Sequence, residues 1–232
     1  MNLILGDGLL GSAVIGASGW PFVSRRENGF DLNNESSWRN NVPNGVANII
    51  NLIANTDTYS KDIDELFETN YRGVVKLVDY CNDKRIKLIH FSTDYVYENS
   101  KSNAKETDKT KPTTPYAMSK ALADEYIMKH SNNYLILRGA QKDDPFPYDT
   151  AFVNLHGNFD YPDVIADIVI DMVRSEAVGL YNIGTATKSM YDLAKLTKPQ
   201  VESAIAPDHF PNDVTMNLSK MNKHLKQWQD QE

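Results

Sequence analysis

Asn2-Leu-Ile-Leu5 runs directly into Gly6-Asp7-Gly8-Leu9-Leu10-Gly11, and the next seven residues, Ser12 to Ser18, are all small or apolar. The apolar run reads as a short buried strand, and the glycines open a helix over residues 8–18. In this setting each glycine has a separate task. Gly6 permits the tight turn, Gly8 lets the backbone approach a pyrophosphate, and Gly11 lets helix and strand pack closely. The free N–H groups at the helix start, around Leu9 and Leu10, would face the phosphates. A glycine-rich turn that holds no nucleotide is the alternative. The position directly after an apolar strand favours a dinucleotide site. Asp7 lies inside the loop, and its carboxylate has to point away from any phosphate.

Working outward, apolar strands alternate with helical patterns. Strands are expected at 21–25, 46–54, 86–91 and 134–137, with helices over 63–81 and 115–130. Such alternation predicts βαβ units and an α/β fold of the Rossmann type, a doubly wound parallel sheet. After Arg138 the rhythm changes. Asp143-Asp144-Pro145 and Pro147 are turn signals, followed by an amphipathic helix over 162–174, a strand at 180–183 and a short helix over 190–196. We therefore expect a dinucleotide-binding domain over 1–138 and a small, trimmed substrate-binding lobe over 139–232. Residues 98–111 are strongly polar and read as an exposed loop.

Composition narrows the class. With 232 residues, 41% hydrophobic and 24% charged, the chain can bury a core but is too short for two full-sized domains. No apolar run approaches the roughly 20 residues that span a bilayer, and the first one is too short for a signal-peptide core. Cys81 is the only cysteine, which excludes an internal disulfide and a Cys-based zinc site. These features predict a cytoplasmic protein. The net charge of −7, with no basic stripe, argues against a nucleic-acid partner.

Two further sites carry chemistry. The second expected strand ends at Ser24-Arg25-Arg26, where an acid would select NAD and an arginine would meet the 2′-phosphate of NADP. NADP(H) is therefore the expected cofactor. Glu27 follows closely, and NAD stays open. The second site is one of four Tyr-x-x-x-Lys pairs, at 80/84, 97/101, 116/120 and 191/195. Spacing alone does not choose among them. Context does: Thr114 is a suitable N-cap and Pro115 suits the first helical position, which fixes Tyr116 in the first turn of a helix with Lys120 on the same face. Upstream, a buried strand ends in Ser92-Thr93-Asp94, at the sheet edge where open α/β sheets bind ligands. A Lys ammonium beside Tyr116 is expected to lower the phenol's pKa, so that it can pass a proton to or from a carbonyl oxygen. A hydroxyl at Thr93 can bind the same oxygen.

In these segments the chain resembles an extended short-chain dehydrogenase/reductase, and more narrowly the dTDP-4-dehydrorhamnose reductase family of nucleotide-sugar enzymes. Phe91-Ser-Thr-Asp-Tyr-Val-Tyr97 and Pro115-Tyr-Ala-Met-Ser-Lys120 are the specific matches. Asp31-Leu32 resembles the family's adenine-contacting segment, Asn51-Leu-Ile-Ala54 its Asn-Ala-Ala-Ala, and Asn70 its helical Asn. Phe210-Pro-Asn-Asp-Val-Thr-Met-Asn-Leu-Ser-Lys220 resembles its C-terminal motif. The resemblance implies reduction of a nucleotide-linked 4-keto-6-deoxy sugar by NADPH. Tyr116 would be the proton donor, Thr93 would orient the ketone (with Ser92 nearby), and Lys120 would lower the Tyr pKa and bind the nicotinamide ribose. It places Gly6, Gly8, Leu9, Leu10, Gly11, Ser24, Arg25, Arg26, Asp31, Leu32, Ala54, Asn70, Ser92 and Lys120 at the cofactor, implies a nucleotide-sugar substrate, and leaves a homodimer open.

Related chemistries fit less well. Sugar 4,6-dehydratases have Thr-Asp-Glu where this chain has Thr93-Asp94-Tyr95, and epimerases of the GDP-fucose synthase type need a Cys/His acid–base pair, whereas Cys81 lies on the helix before the Ser-Thr-Asp strand. A nucleotide-sugar epimerase and a non-catalytic NADP-binding regulatory subunit remain as alternatives. The chain also departs from the family. The glycine loop has one residue fewer between its first two glycines. The segment after Arg138 lacks the usual substrate-holding helix, which reads as an internal loss and predicts a more open pocket. His156 reads as a surface residue.

Overall fold

The computed structural model describes residues 1–58, 60–98, 100–208, 210–211 and 213–231. Its elements follow the expected alternation. β1 (Asn2–Leu5) leads to α1 (Leu9–Ser18), β2 (Phe22–Val23), the one-turn α2 (Arg25–Asn28), α3 (Glu35–Asn41) and β3 (Asn48–Asn51). α4 (Ile63–Phe67) passes through a π-helical turn, Glu68–Arg72, into α5 (Gly73–Lys84). β4 (Lys87–Thr93), α6 (Pro115–His130) and β5 (Tyr134–Gly139) follow. Beyond them lie β6 (Thr150–Phe152), β7 (His156–Gly157), α7 (Pro162–Arg174), β8 (Gly179–Asn182), β9 (Lys188–Ser189), α8 (Met190–Thr197), β10 (Glu202–Ala204) and α9 (Ser219–Gln229).

Six strands form one parallel sheet in the order β2-β1-β3-β4-β5-β8. The order reverses at β1/β3, so a crevice opens at the carboxyl ends of these strands. Apolar side chains on both faces of the strands explain the continuous runs Leu3-Ile4-Leu5 and Ile49-Ile50, all fully buried. One face packs under α5 and α6, around Leu3, Trp38, Val74, Leu77, Val78, Ala123 and Ile127. The other packs under α1 and α7, around Ile4, Val14, Ile50, Ile89, Ile165 and Val169. The sheet with helices on both faces is the doubly wound architecture expected from the sequence.

The division after residue 138 does not separate the packed layers. β8 pairs with β5 from Leu135–Gly179 to Arg138–Asn182, and α7 lies against α1, so residues 162–182 complete the sheet domain. α9 also returns to it: Met221 enters the core below α7, and Lys220 Nζ donates to the Leu180 carbonyl across the Tyr181 ring. Pairing outside the local segment was the missing information, because an apolar strand at 180–183 can belong to either body. What remains of the lobe has its own core of Phe146, Ala151, Leu155, Phe159, Tyr161, Met190, Leu193 and Val201. Two small sheets, β6–β10 parallel and β7–β9 antiparallel, hold it together.

The described residues of 98–111, which leave out Asn99, are exposed or half-buried, as expected for a polar loop, with one exception. Ala104 is fully buried and forms a bridge to Met216, tying the loop to the C-terminal segment. In that segment Asn212 lies outside the described residues. Among the described residues no helix is long and apolar enough to cross a membrane.

Candidate active site

The glycine loop has the geometry its sequence requires. Gly6 takes φ +98°, in the left-handed region, and a Cβ on Gly11 would lie 2.3 Å from the Gly6 carbonyl oxygen. A Cβ on Gly8, in contrast, would meet nothing within 4 Å. Gly8 thus presents bare backbone to open space at the start of α1, whose first turn has no side-chain cap and no acid. This is a fit for a pyrophosphate: unpaired N–H groups, no Cβ in the way and a helix N-terminus behind them. Gly11→Ala is expected to lower the melting temperature by several degrees, because backbone must move to admit the methyl group. It should also weaken dinucleotide binding at least tenfold in a fluorescence titration.

A first cavity of about 340 Å³ extends from Gly6 and Gly8 past Ser24, Arg25, Asp31 and Leu32 to Ala54. Asp31 is pinned there: its carbonyl accepts from Trp38 Nε1 at 2.9 Å, and its carboxylate pairs with Arg25 at 3.2 Å. Three expected cofactor residues also make contacts within the protein. Ser24 is buried at the cavity wall, and its hydroxyl accepts from Glu27 N, capping α2, which leaves its proton to donate. Arg26 pairs with Asp7 in the glycine loop, with 2.7 Å between Nη2 and Oδ2. Arg25 and Arg26 are equally exposed at this edge, and each has a carboxylate neighbour. Asn70 is fully buried and its amide is spent inside the protein. It accepts from Asn55 N at 2.8 Å and donates to the Asn55 carbonyl and Ser119 Oγ. It clamps the cavity wall at Asn55 rather than lining the cavity.

A second cavity, about 380 Å³, shares Gly8, Leu52 and Ala54 with the first and also contains Leu9, Leu10, Ser92, Thr93, Tyr116 and Lys120. The sequence placed these residues correctly on their elements. Thr114 caps α6, with Pro115 in its first turn, and Thr93 ends β4 while capping the 3₁₀ turn at Asp94–Tyr97. The Tyr116 hydroxyl interacts with that of Thr93.

One expectation is overturned. Lys120 does not lower the Tyr116 pKa: burial pushes that phenol up to about 12, with only Thr93 acting in the opposite direction. The reason is where the lysine goes. Its Nζ donates to the Phe91 carbonyl at 2.7 Å and lies 3.2 Å from His90 Nε2. Burial also brings the Lys120 pKa down to about 8, opposed by the Asp124 carboxylate. His90, itself fully buried, is held well below the usual imidazole pKa by burial and by Lys120.

Below the cavity runs a polar chain that sequence reading missed. Ser92 donates to Asp124 at 3.0 Å, and Arg138 Nε donates to the same Asp124 oxygen at 2.9 Å. Arg138 also donates to the Tyr97 hydroxyl, which in turn donates to Asn182. Asp124 and Arg138 are buried to 0% and 2% side-chain exposure. The only sequence signal was a charge at a core-facing position on each of two apolar elements. Tyr97 is fully buried. Beyond the site, Tyr95 and residues 141–143 form a shared rim with a third cavity of about 510 Å³, walled by Phe146, Tyr148, Phe152 and Phe210 in the lobe.

Comparison with known proteins agrees with this architecture. The model of the NAD dependent epimerase/dehydratase family matches residues 11–140. ADP-L-glycero-D-manno-heptose-6-epimerase of Brachyspira hyodysenteriae is 33% identical over 101 residues, covering 43% of this chain and 31% of that protein. dTDP-4-dehydrorhamnose reductase of Aggregatibacter actinomycetemcomitans is 34% identical over 93 residues, covering 39% and 32%. The matched stretches therefore span about a third of these curated relatives. Among solved structures, a hypothetical dTDP-4-dehydrorhamnose reductase from Sulfolobus tokodaii superposes with a TM-score of 0.79 at 19% identity, covering 96% of this chain and 94% of that one. dTDP-4-dehydrorhamnose reductase from Bacillus anthracis, in complex with NADP, gives 0.77 at 16% identity, covering 100% and 99%. The glycine-loop geometry and the family match lead to one conclusion: the chain belongs to the NAD dependent epimerase/dehydratase family.

Proposed function

We propose that the protein is an NADPH-dependent reductase of a nucleotide-linked 4-keto-6-deoxy sugar, in the manner named for its dTDP-4-dehydrorhamnose reductase relatives. One observation carries the reading: two hydroxyls, Thr93 and Tyr116, and a buried lysine open onto the same cavity as the bare backbone of Gly8. In this reading Gly6, Gly8, Leu9, Leu10, Arg25, Asp31, Leu32 and Ala54 hold the coenzyme, which supplies hydride when bound. The lobe cavity takes the nucleotide end of the substrate.

The residues divide the work by their chemistry. Tyr116 is a neutral phenol at physiological pH, because burial favours its uncharged form. It therefore holds the proton that a carbonyl oxygen needs as it becomes an alcohol. Thr93 orients that oxygen. Lys120 is fixed by the Phe91 carbonyl and presents positive charge beneath the site. Tyr95 follows Asp94 where an eliminating enzyme would need a second acid, which supports reduction over dehydration. Cys81 is buried in the α5 core with its thiol pushed up to about 12 by burial, which removes it as an acid–base partner for epimerisation.

The test is direct. Purified protein offered dTDP-4-keto-6-deoxy sugars should consume NADPH, followed by the loss of its absorbance, with product alcohol formed in equal amount. NADPH that binds tightly but is not consumed with any 4-keto sugar nucleotide would eliminate the reading.

A further inference from the structure

We propose that Asp94 is a positioning residue: its neutral carboxyl turns the Thr93 and Tyr116 hydroxyls towards a carbonyl oxygen in the cavity, and its carboxylate turns them away. This deepens the reductase reading above and rests on it for the reaction concerned.

The argument is a count of protons and lone pairs. A threonine hydroxyl has one proton to give and two sites that accept. Thr93 Oγ1 accepts from Tyr95 N at 3.2 Å and lies 3.2 Å from Asp94 Oδ1, with the Tyr116 hydroxyl as its remaining neighbour. An ionised Asp94 can only accept. It then takes the Thr93 proton, and the second acceptor site of Thr93 draws the Tyr116 proton. Both hydroxyls are saturated, and neither offers a proton to a ligand. A neutral Asp94 reverses the assignment. Its O–H occupies the second acceptor site of Thr93, so the Thr93 proton and the Tyr116 proton are both released towards the cavity.

The surroundings of Asp94 allow this exchange. The residue is 1% exposed, and its Oδ2 has no hydrogen-bond partner among the described residues although it belongs to the cavity lining. Burial of that unpartnered oxygen disfavours the charged form. Other titratable groups around the cavity are Tyr95 in the 3₁₀ turn, Lys142 and Asp143 on the segment after β5, and Tyr116 and Lys120 on α6. Burial raises the Asp94 pKa to about 6, outweighing the Lys142 ammonium, the Thr93 hydroxyl and the Asp94 and Tyr95 backbone N–H groups, which all favour the charged form. Both protonation states are thus within reach near neutral pH.

The experiment compares wild type with Asp94→Asn and Asp94→Ala. The asparagine amide donates permanently and imitates the neutral acid. With saturating NADPH and a 4-keto sugar nucleotide, wild-type kcat should fall about tenfold per pH unit above the Asp94 pKa of about 6. Asp94→Asn should stay within about threefold of the wild-type maximum and be flat over the same range. Asp94→Ala should be lower by about tenfold or more at every pH, with KM for NADPH unchanged. An Asp94→Asn enzyme that keeps the falling limb, or is as impaired as Asp94→Ala, overturns the proposal.

A ligand-free measurement separates this from the reductase reading. With ¹³C at the tyrosine ζ-carbon, the Tyr116 resonance, identified by its loss in Tyr116→Phe, should step as Asp94 titrates in wild type and not in Asp94→Asn. No step in the wild-type protein overturns the proposal, whether or not any sugar is reduced.

Discussion

Tyr116→Phe is expected to reduce kcat for a 4-keto sugar nucleotide by about 10²–10⁴-fold, with the affinity for NADPH unchanged within about twofold. The substitution removes one oxygen and keeps the ring that packs at the start of α6. The helix should therefore form as before, held by the Thr114 side chain on Ala117 N and by Pro115 in the first turn. Coenzyme binding should persist because Tyr116 does not line the first cavity, where Gly6, Arg25 and Asp31 lie. What is lost is the proton source. With its pKa raised to about 12, the phenol is protonated throughout the working range, so its role is that of an acid and not of a phenolate base. Stopped-flow kinetics and a binding titration on the same preparation check both halves. A Tyr116→Phe enzyme with near-wild-type kcat would remove Tyr116 from the mechanism.

Arg138→Met is expected to cost about 3–5 kcal/mol of stability, the largest effect foreseen for a residue outside the cavities. The cost comes from what the substitution leaves behind. Asp124 Oδ2 would keep only Ser92, and its Oδ1 already has no hydrogen-bond partner among the described residues. The charge would then sit fully buried without its hydrogen-bonded guanidinium. The Tyr97 hydroxyl would lose its donor as well. Replacing both partners, as Arg138→Met with Asp124→Leu, should recover most of the loss, since it removes the buried charge together with its former partner. Urea denaturation of the two single variants and the double variant measures this. Additive losses across the cycle would mean that the two side chains act independently.

Much of this architecture is local, and local features are readable. The glycine loop needs only residues 2–18 to declare itself. α6 runs from Pro115 to His130 as its caps dictate, and the same caps single out Tyr116 from the four Tyr-x-x-x-Lys pairs. What sequence reading missed depends on contacts across long separations. Lys120 was expected beside Tyr116, yet the Phe91 carbonyl, 29 residues away, takes its ammonium. Asn70 looked like a ligand contact until Asn55 and Ser119 were seen to use its whole amide. Arg26 was expected at a phosphate, and its pairing with Asp7 in the glycine loop was not foreseen. The Asp124–Arg138 pair was hidden because two buried charges are visible only as exceptions to an apolar pattern. In each case the residue type was informative and its partner was not.

The path of the chain through the two bodies has a mechanical consequence. It leaves the sheet after Gly139, returns at Pro162, leaves again after Asn182 and returns at Ser219. Four connections cross the cleft instead of one, and the returning pieces include a strand of the sheet itself. Any relative motion of the two bodies must be absorbed by four segments and not by one. β8 and α7 lie between the lobe segments in sequence but belong to the sheet domain, so they open with it. Amides in β8 should therefore exchange with solvent in the same cooperative opening as those in β5. Ligand seated in the cleft should slow both by the same factor.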